Sequence, residues 1–197
     1  MRVAVASGKG GTGKTLVSTS LTRLLAGRGV PVRYLDADVE APNGHLLLHP
    51  DIEGERRYAV RIPHLPDDRC SGCGACQQFC AFHAIVALGD RVMVFPELCH
   101  ACGGCVLACP ERALVEQDHE IGALRWGRIA GTDGDVGFVE GDLDVGEAKA
   151  TPLIQGLVPS GPVHGGVMVV DAPPGTACAA MSAVRGSDRL LLVTEPT

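Results

Sequence analysis

No stretch constrains this chain more than Gly8-Lys9-Gly10-Gly11-Thr12-Gly13-Lys14-Thr15. An apolar run, Val3-Ala4-Val5-Ala6, precedes it, and a helix-like run from Leu16 to Ala26 follows. Strand, glycine loop and helix make the setting in which G-x-x-x-x-G-K-S/T closes around a phosphate. Glycines let the backbone turn tightly enough for several N–H groups to face one anion, and the helix N-terminus adds its dipole. Lys14 then reaches the β- and γ-phosphates, and the Thr15 hydroxyl binds Mg²⁺. A glycine-rich turn that matches by chance is the competing account. Lysine usage argues against it. The chain has three lysines beside fourteen arginines, and two of the three, Lys9 and Lys14, fall in this loop. Where arginine is the default cation, lysine marks a need for a compact point charge.

Lys9 narrows the class. A second lysine at the start of the loop resembles the deviant Walker A motif of the MinD/ParA-type ATPases, a group that includes the nitrogenase iron protein and the Mrp-type scaffold ATPases. The resemblance implies a P-loop α/β fold with a doubly wound, mainly parallel sheet. It also implies ATP/ADP and Mg²⁺ as ligands, and a homodimer in which Lys9 contacts nucleotide phosphates across the interface. The alternative for Lys9 is a solvated loop cation.

Two further segments fit the same reading. A short Val-rich strand is expected from Pro31 to Leu35, ending in Asp36-Ala37-Asp38-Val39-Glu40-Ala41-Pro42-Asn43. Ligands of open α/β sheets gather at the carboxyl ends of strands, so carboxylates here can face the phosphate held by the loop. The D-x-D pattern resembles the family's switch I, which implies that Asp38 orients the hydrolytic water and Asp36 supports the Mg²⁺ shell. The apolar run Val167 to Val170 ends at Asp171-Ala172-Pro173-Pro174-Gly175. An aspartate at the tip of a buried strand fits a Walker B role, holding Mg²⁺ through a water. The segment resembles switch II, which implies that the Gly175 N–H senses the γ-phosphate. The candidate nucleotide set is therefore Gly8, Lys9, Gly10, Gly11, Thr12, Gly13, Lys14, Thr15, Asp36, Asp38, Asp171 and Gly175, with Lys9, Lys14 and Asp38 catalytic.

Eight of the nine cysteines form a second constellation. Cys70, Cys73, Cys76 and Cys80 read C-x₂-C-x₂-C-x₃-C, and Cys99, Cys102, Cys105 and Cys109 repeat it 29 residues later (99 − 70 = 29, 109 − 80 = 29). The flanks repeat too: Cys80-Ala81-Phe82-His83-Ala84-Ile85-Val86 matches Cys109-Pro110-Glu111-Arg112-Ala113-Leu114-Val115. This is an internal duplication. Zinc favours well-separated C-x₂-C pairs, so triplet-plus-one spacing suits iron–sulfur cubes better. The small residues Gly72, Gly74, Ala75, Ala101, Gly103 and Gly104 leave backbone N–H groups free to bond a cluster's sulfides. The block resembles a bacterial two-cluster ferredoxin, in which each repeat gives three thiolates to one cluster and its fourth to the other. That resemblance implies one 4Fe–4S cluster on Cys70, Cys73, Cys76 and Cys109 and a second on Cys99, Cys102, Cys105 and Cys80. Ala81 stands where proline usually follows the fourth cysteine, which removes a constraint but no ligand.

Expected domains are thus a discontinuous ATPase domain, residues 1–65 and 118–197, and an inserted ferredoxin-type domain, residues 66–117. Gly44 to Asp68 reads as irregular, with an edge strand at Tyr58–Ile62 and no role for His45, His49 or His64. Ile121–Ile129 and Val136–Leu143 read as paired strands around Gly131-Thr132-Asp133-Gly134. A short helix is expected within Gly146–Val158, interrupted early by Pro152, and a last strand at Leu190–Val193. Arg125, Arg128 and Lys149 read as scattered surface cations, and Cys178 as a small buried residue. Family members usually continue past this point with further strand–helix units that grip the adenine base.

A net charge of −6 offers no field for nucleic acid. No apolar run approaches the roughly 18 residues of a membrane span, and the N-terminus lacks the regions of a secretory signal. With a nucleotide loop in the first fifteen residues, the expected compartment is the cytoplasm. The reading is an ATP-hydrolysing iron–sulfur protein that couples nucleotide state to electron transfer or cluster delivery, acting on an unknown redox partner or cluster acceptor. A ferredoxin with a nucleotide-binding regulatory domain, and a positioning or scaffold ATPase with structural clusters, are the alternatives.

Overall fold

A computed structural model describes residues 1–66, 69–129, 136–157 and 165–195. The chain divides into two compact units, one of Met1–Tyr58, Gly122–Asp144 and Ala150–Thr197, the other of Ala59–Ile121 and Val145–Lys149.

The first unit holds the centre of a seven-stranded sheet ordered β3-β6-β7-β2-β8-β1-β9. Its centre is β1 (Arg2–Ala6), β2 (Val32–Asp36) and β8 (Val167–Asp171), short runs buried on both faces, as parallel strands under helices must be. β8 pairs in parallel with β1 and β2, and its last residue, Asp171, lies opposite both Val5 and Asp36. β9 (Arg189–Leu192) is parallel to β1 at one edge. On the other side β7 (Val136–Leu143) runs parallel to β2 and antiparallel to β6 (Val115–Ile129). The expected turn at Gly131–Gly134 lies outside the described residues. β3 (Pro50–His64) forms the far edge.

α1 (Lys14–Ala26) starts directly from the glycine loop. Its buried face carries hydroxyls, Ser18, Thr19 and Thr22, each bonded back to a carbonyl three or four residues earlier. The core joins Val5, Val32, Tyr34, Phe138 and Val169, with the Tyr34 and Phe138 rings stacked 5.8 Å apart. Three expectations change here. Gly44–His64 is not irregular: it holds α2 (Gly44–Leu48) and the whole of β3, while Asp67 and Asp68 lie outside the described residues. Pro152 does not interrupt its helix, because it occupies the first turn of α5 (Ala150–Leu157), where its missing N–H has no partner to lose. α6 (Cys178–Val184) follows the Asp171 loop, and Cys178 is exposed rather than buried.

The second unit contains α3 (Ala75–Phe79), the hairpin of β4 (Ile85–Leu88) and β5 (Arg91–Val94), a 3₁₀ turn at Pro96–Leu98, and α4 (Gly104–Leu107). The duplication is written into its backbone. Positive φ recurs at Gly72 and Ala101, at Gly74 and Gly103, and at His83 and Arg112, each pair 29 residues apart. Three of these six are not glycine, so the fold holds strained conformations at matching places.

Candidate nucleotide pocket and four-cysteine cavities

The phosphate loop lines an open hollow of about 290 Å³ at the carboxyl ends of the central strands, at the small end of ligand sites. Gly10, Gly11, Thr12, Gly13, Lys14, Thr15 and Asp38 line it, joined by Ser7, Asn43 and Pro174. Gly11 and Gly13 have φ of 80° and 84°, and a Cβ at either would meet nothing, so the backbone there is open toward a ligand. The Thr12 hydroxyl is buried without a hydrogen-bond partner. A buried hydroxyl without a partner in a loop of this kind fits the phosphate expected there.

Lys14 is 6% exposed, and its Nζ donates to Asp171 Oδ1 at 2.9 Å while lying 3.7 Å from Asp38 Oδ2. One cation thus sits between two carboxylates. Burial pushes the Asp38 carboxyl above its ordinary value, Lys14 pulls it back, and Asp171 adds to the rise. Tyr34, fully buried, donates its hydroxyl to Asp171 Oδ2 at 3.1 Å.

Asp36 behaves differently. Its carboxylate accepts backbone N–H groups from Asp38 (3.1 Å), Asn43 (3.2 Å) and Gly44 (2.8 Å) and is wholly buried. Those bonds fix the loop that carries Asp38 and Asn43. Burial, then the nearby Asp171 charge, push Asp36 up to about 7, against the pull of its N–H donors. Asp36 does not line the hollow; it organises the segment that does. Gly44 allows the arrangement, because a Cβ there would lie 2.5 Å from the Tyr34 ring.

Lys9 and Gly175 also stand apart from the hollow. Lys9 Nζ is 3.0 Å from Glu195, with both side chains about half exposed. The Gly175 N–H donates to the Ser7 carbonyl at 2.9 Å, so it is engaged within the protein here. Gly8 is exposed at the start of the loop.

The cysteines sort into two sets. Cys70, Cys73, Cys76 and Cys109 line one cavity with Leu65, Val92 and Leu114. Cys80, Cys99, Cys102 and Cys105 line another with Pro63, Phe79, Phe82 and His100. Each cavity therefore takes three cysteines from one repeat and the fourth from the other. Backbone N–H groups point at the two exchanged sulfurs, from Ala84 to Cys80 Sγ at 3.4 Å and from Ala113 to Cys109 Sγ at 3.3 Å. Burial resists ionisation of Cys109, but the N–H groups of Leu114, Ala113, Glu111 and Arg112 hold its thiol below the ordinary value. Burial, then the neighbouring Cys99, push the Cys105 thiol up to about 11. Among the described residues no three His, Cys, Asp or Glu side chains converge as ligands of a single ion do.

Sequence reasoning missed Ser7, Asn43 and Pro174 at the hollow, and it placed Lys149 on the surface. Lys149 is 6% exposed, with Nζ bonded to Glu147 Oε1 at 2.6 Å and to the Pro96 carbonyl at 2.7 Å. The scarcity of lysine that singled out the loop applies equally to Lys149. Arg125 is likewise not a loose surface cation, being ion-paired to Glu55, Glu140 and Asp142.

Residues 3–137 match the family model of the CobQ/CobB/MinD/ParA nucleotide binding domain. The chain belongs to this family. An uncharacterized protein of Methanocaldococcus jannaschii is 34% identical across the whole chain, which spans 68% of that protein. An iron-sulfur cluster carrier protein of Pyrococcus abyssi is 48% identical over 61 residues, 31% of this chain and 20% of that protein. Among solved structures, the cell division ATPase MinD of Pyrococcus furiosus is similar over 98% of this chain, with TM-score 0.50 and 20% identity. This chain spans 58% of that MinD chain. The shared fold is the MinD-like α/β architecture with a mostly parallel central sheet, and the cysteine block interrupts it as a ferredoxin-like insertion would. No helix among the described residues is long and apolar enough to cross a membrane.

Proposed function

We propose that this protein is a MinD/ParA-family ATPase carrying two 4Fe–4S clusters, and that its nucleotide state acts on those clusters, for electron transfer or for cluster delivery. The observation that carries the reading is the sorting of eight thiols into two four-cysteine cavities across the repeats, in a chain that also builds a phosphate hollow. Thiol donors with backbone N–H groups aimed at sulfur suit iron–sulfur cubes. The triplet-plus-one spacing of the cysteines suits a four-cysteine zinc site less well than an iron–sulfur cube. The similarity to an iron-sulfur cluster carrier protein supports the same reading.

At the hollow, the loop N–H groups and Lys14 would bind the phosphates and the Thr15 hydroxyl would hold Mg²⁺, which would neutralise phosphate charge. Asp171, whose oxygens accept from Lys14 and Tyr34, lies outside the lining and would support the ion through a water. Asp38 holds the attacking water, and Asp36 holds Asp38 in place. Catalysis of this kind is positioning and charge neutralisation. In a homodimer, Lys9 leaves Glu195 and reaches a nucleotide.

One observation favours a partly structural role for the clusters. The core of the second unit is made of Cys76, Cys105, Ile85 and Leu114, so two of the expected cluster ligands lie in its buried centre. The test is anaerobic reconstitution with iron and sulfide analysis, absorption and electron paramagnetic resonance, with and without Mg-ATP. Two four-iron clusters with nucleotide-sensitive spectra are expected. Zinc in place of iron, or spectra indifferent to nucleotide, contradict the proposal.

A further inference from the structure

The third lysine of this chain has no place in either site. Lys149 lies in the segment Val145–Lys149, which leaves β7 and belongs to the cysteine-bearing unit. Its ammonium bonds the Glu147 carboxylate and the carbonyl of Pro96. Glu147 in turn accepts the Ala148 N–H at 2.8 Å and contacts His119 Nε2 at 3.1 Å. This is a buried clasp with three anchor points. Pro96 opens the 3₁₀ turn that ends at Leu98, and Cys99 of the second cavity comes next.

The other end of the same chain segment is tied to the nucleotide side. Leu143 closes β7, and its N–H donates to the carbonyl of Val39 at 2.8 Å. Val39 directly follows Asp38, is buried, and packs onto the β7 backbone, where a Cβ at Gly141 would lie 2.7 Å from it. His45, on α2 beside Asn43, reaches Glu140 of β7 at 2.9 Å. The segment that lines the phosphate hollow therefore grips the end of β7 at three residues. Between that grip and the clasp lie only Asp144 to Gly146, of which Val145 is fully exposed.

We propose that the Glu147–Lys149 clasp transmits the conformation of the Asp38–Asn43 segment to the Pro96–Cys99 turn of the second four-cysteine cavity. Glu147 and Lys149 are positioning residues, touching neither nucleotide nor cluster. Lysine serves here because one compact ammonium can bond a carboxylate and a carbonyl at once, whereas a planar guanidinium presents a fixed fork. A largely buried pair held by these bonds resists rupture, so a shift of β7's end moves the turn rather than breaking the clasp. The proposal rests on the nucleotide–cluster coupling above and names its route.

The test is hydrogen–deuterium exchange at Glu97–Cys102 in the anaerobically reconstituted protein, compared between Mg-ADP and a non-hydrolysable Mg-ATP analogue. The parent is expected to show a difference of at least about fivefold, the lower end of typical allosteric coupling. Two variants are compared with it: Lys149→Met, and an insertion of Gly-Ser-Gly after Val145. In both, the difference falls below about twofold, while iron content and nucleotide affinity stay parental. Should Lys149→Met fail to fold or to hold iron, the insertion decides, because it leaves every clasp contact in place. An insertion variant that keeps the full nucleotide difference overturns the route alone. An insertion variant that loses iron or nucleotide binding also overturns it, since the segment would then be a structural support. A parent without any nucleotide difference overturns the coupling itself, and the route with it.

Discussion

Lys14 is the residue on which the nucleotide site turns. It is the cation between Asp38 and Asp171, so Lys14→Ala removes the proposed phosphate ligand and leaves the buried Asp171 without its cation. Loss of one partner of a buried ion pair costs about 3–5 kcal/mol. The expected outcome is loss of measurable ATP binding by calorimetry and a clear fall in melting temperature. Asp38→Asn is expected to keep ATP affinity within a few-fold while lowering turnover by about 100-fold or more, the pattern of a group that acts in the transition state. Asp36 gives a pH dependence. Its folded value of about 7 lies above the roughly 3.9 of an unfolded aspartate, so between those values the folded state binds more protons. Stability of the nucleotide- and Mg²⁺-free protein therefore falls as pH rises from about 4 to about 7, by something on the order of 1–4 kcal/mol. Thermal melts across that range check the slope, and Asp36→Asn is expected to remove most of it, the raised Asp38 carboxyl keeping the rest. The loop residues were legible because glycines, lysine and threonine each have one chemical reason to stand at that spacing. Ser7, Asn43 and Pro174 were not, since no spacing marks a residue that reaches the hollow only through the folding of its neighbours. Lys149 carried the same compositional mark as Lys9 and Lys14, but sequence does not show burial.

At the scale of elements, the buried parallel strands and α1 were legible within a residue or two. Their apolar runs leave one reading, and glycines punctuate their ends. α2 and β3 were not. α2 spans Gly44–Leu48, too short to show helical periodicity, and it is placed by Asp36 accepting N–H groups at its start. β3 is an edge strand whose first half carries Asp51, Glu53, Glu55, Arg56 and Arg57, with no alternation of burial to betray it. Charge of that kind blunts an edge against unwanted pairing. The placement of α2 has a direct check. Gly44→Ala puts a methyl against the Tyr34 ring and must shift α2 away from Asp36. The expected cost is about 1–3 kcal/mol, with weakened nucleotide binding. An unshifted melting temperature would show that Gly44 is not needed for close approach. In the cysteine unit, the sequence duplication reappears as matching backbone conformations at Gly72 and Ala101, Gly74 and Gly103, and His83 and Arg112. A repeat in sequence thus became a repeat in φ, even where glycine was not kept.

For the whole molecule, the two compact units differ in what holds them. The sheet unit has an aliphatic and aromatic core around Tyr34, Phe138 and Val169. The cysteine unit has a small core in which Cys76 and Cys105 are principal members. Metal binding in such a unit is folding free energy. Removal of iron with a chelator is expected to raise hydrogen exchange across residues 70–109 by orders of magnitude while the strands of the sheet unit keep their protection. Equal loss in both units would show one cooperative body. Motif order placed the insert at residues 66–117, whereas the cysteine-bearing unit comprises Ala59–Ile121 and Val145–Lys149. The inclusion of Val145–Lys149 in the cysteine unit was not readable in the sequence, because it depends on a buried clasp formed by residues far apart in the chain. The central claim is that a phosphate hollow and two crossed four-cysteine sites in one chain answer to each other. The most direct measurement is a redox titration followed by electron paramagnetic resonance on the anaerobically reconstituted protein, run with Mg-ADP and with a non-hydrolysable Mg-ATP analogue. The account expects two 4Fe–4S signals whose midpoint potentials shift between the two nucleotides. Superimposable titrations, or a protein that takes up zinc and no iron, would contradict it.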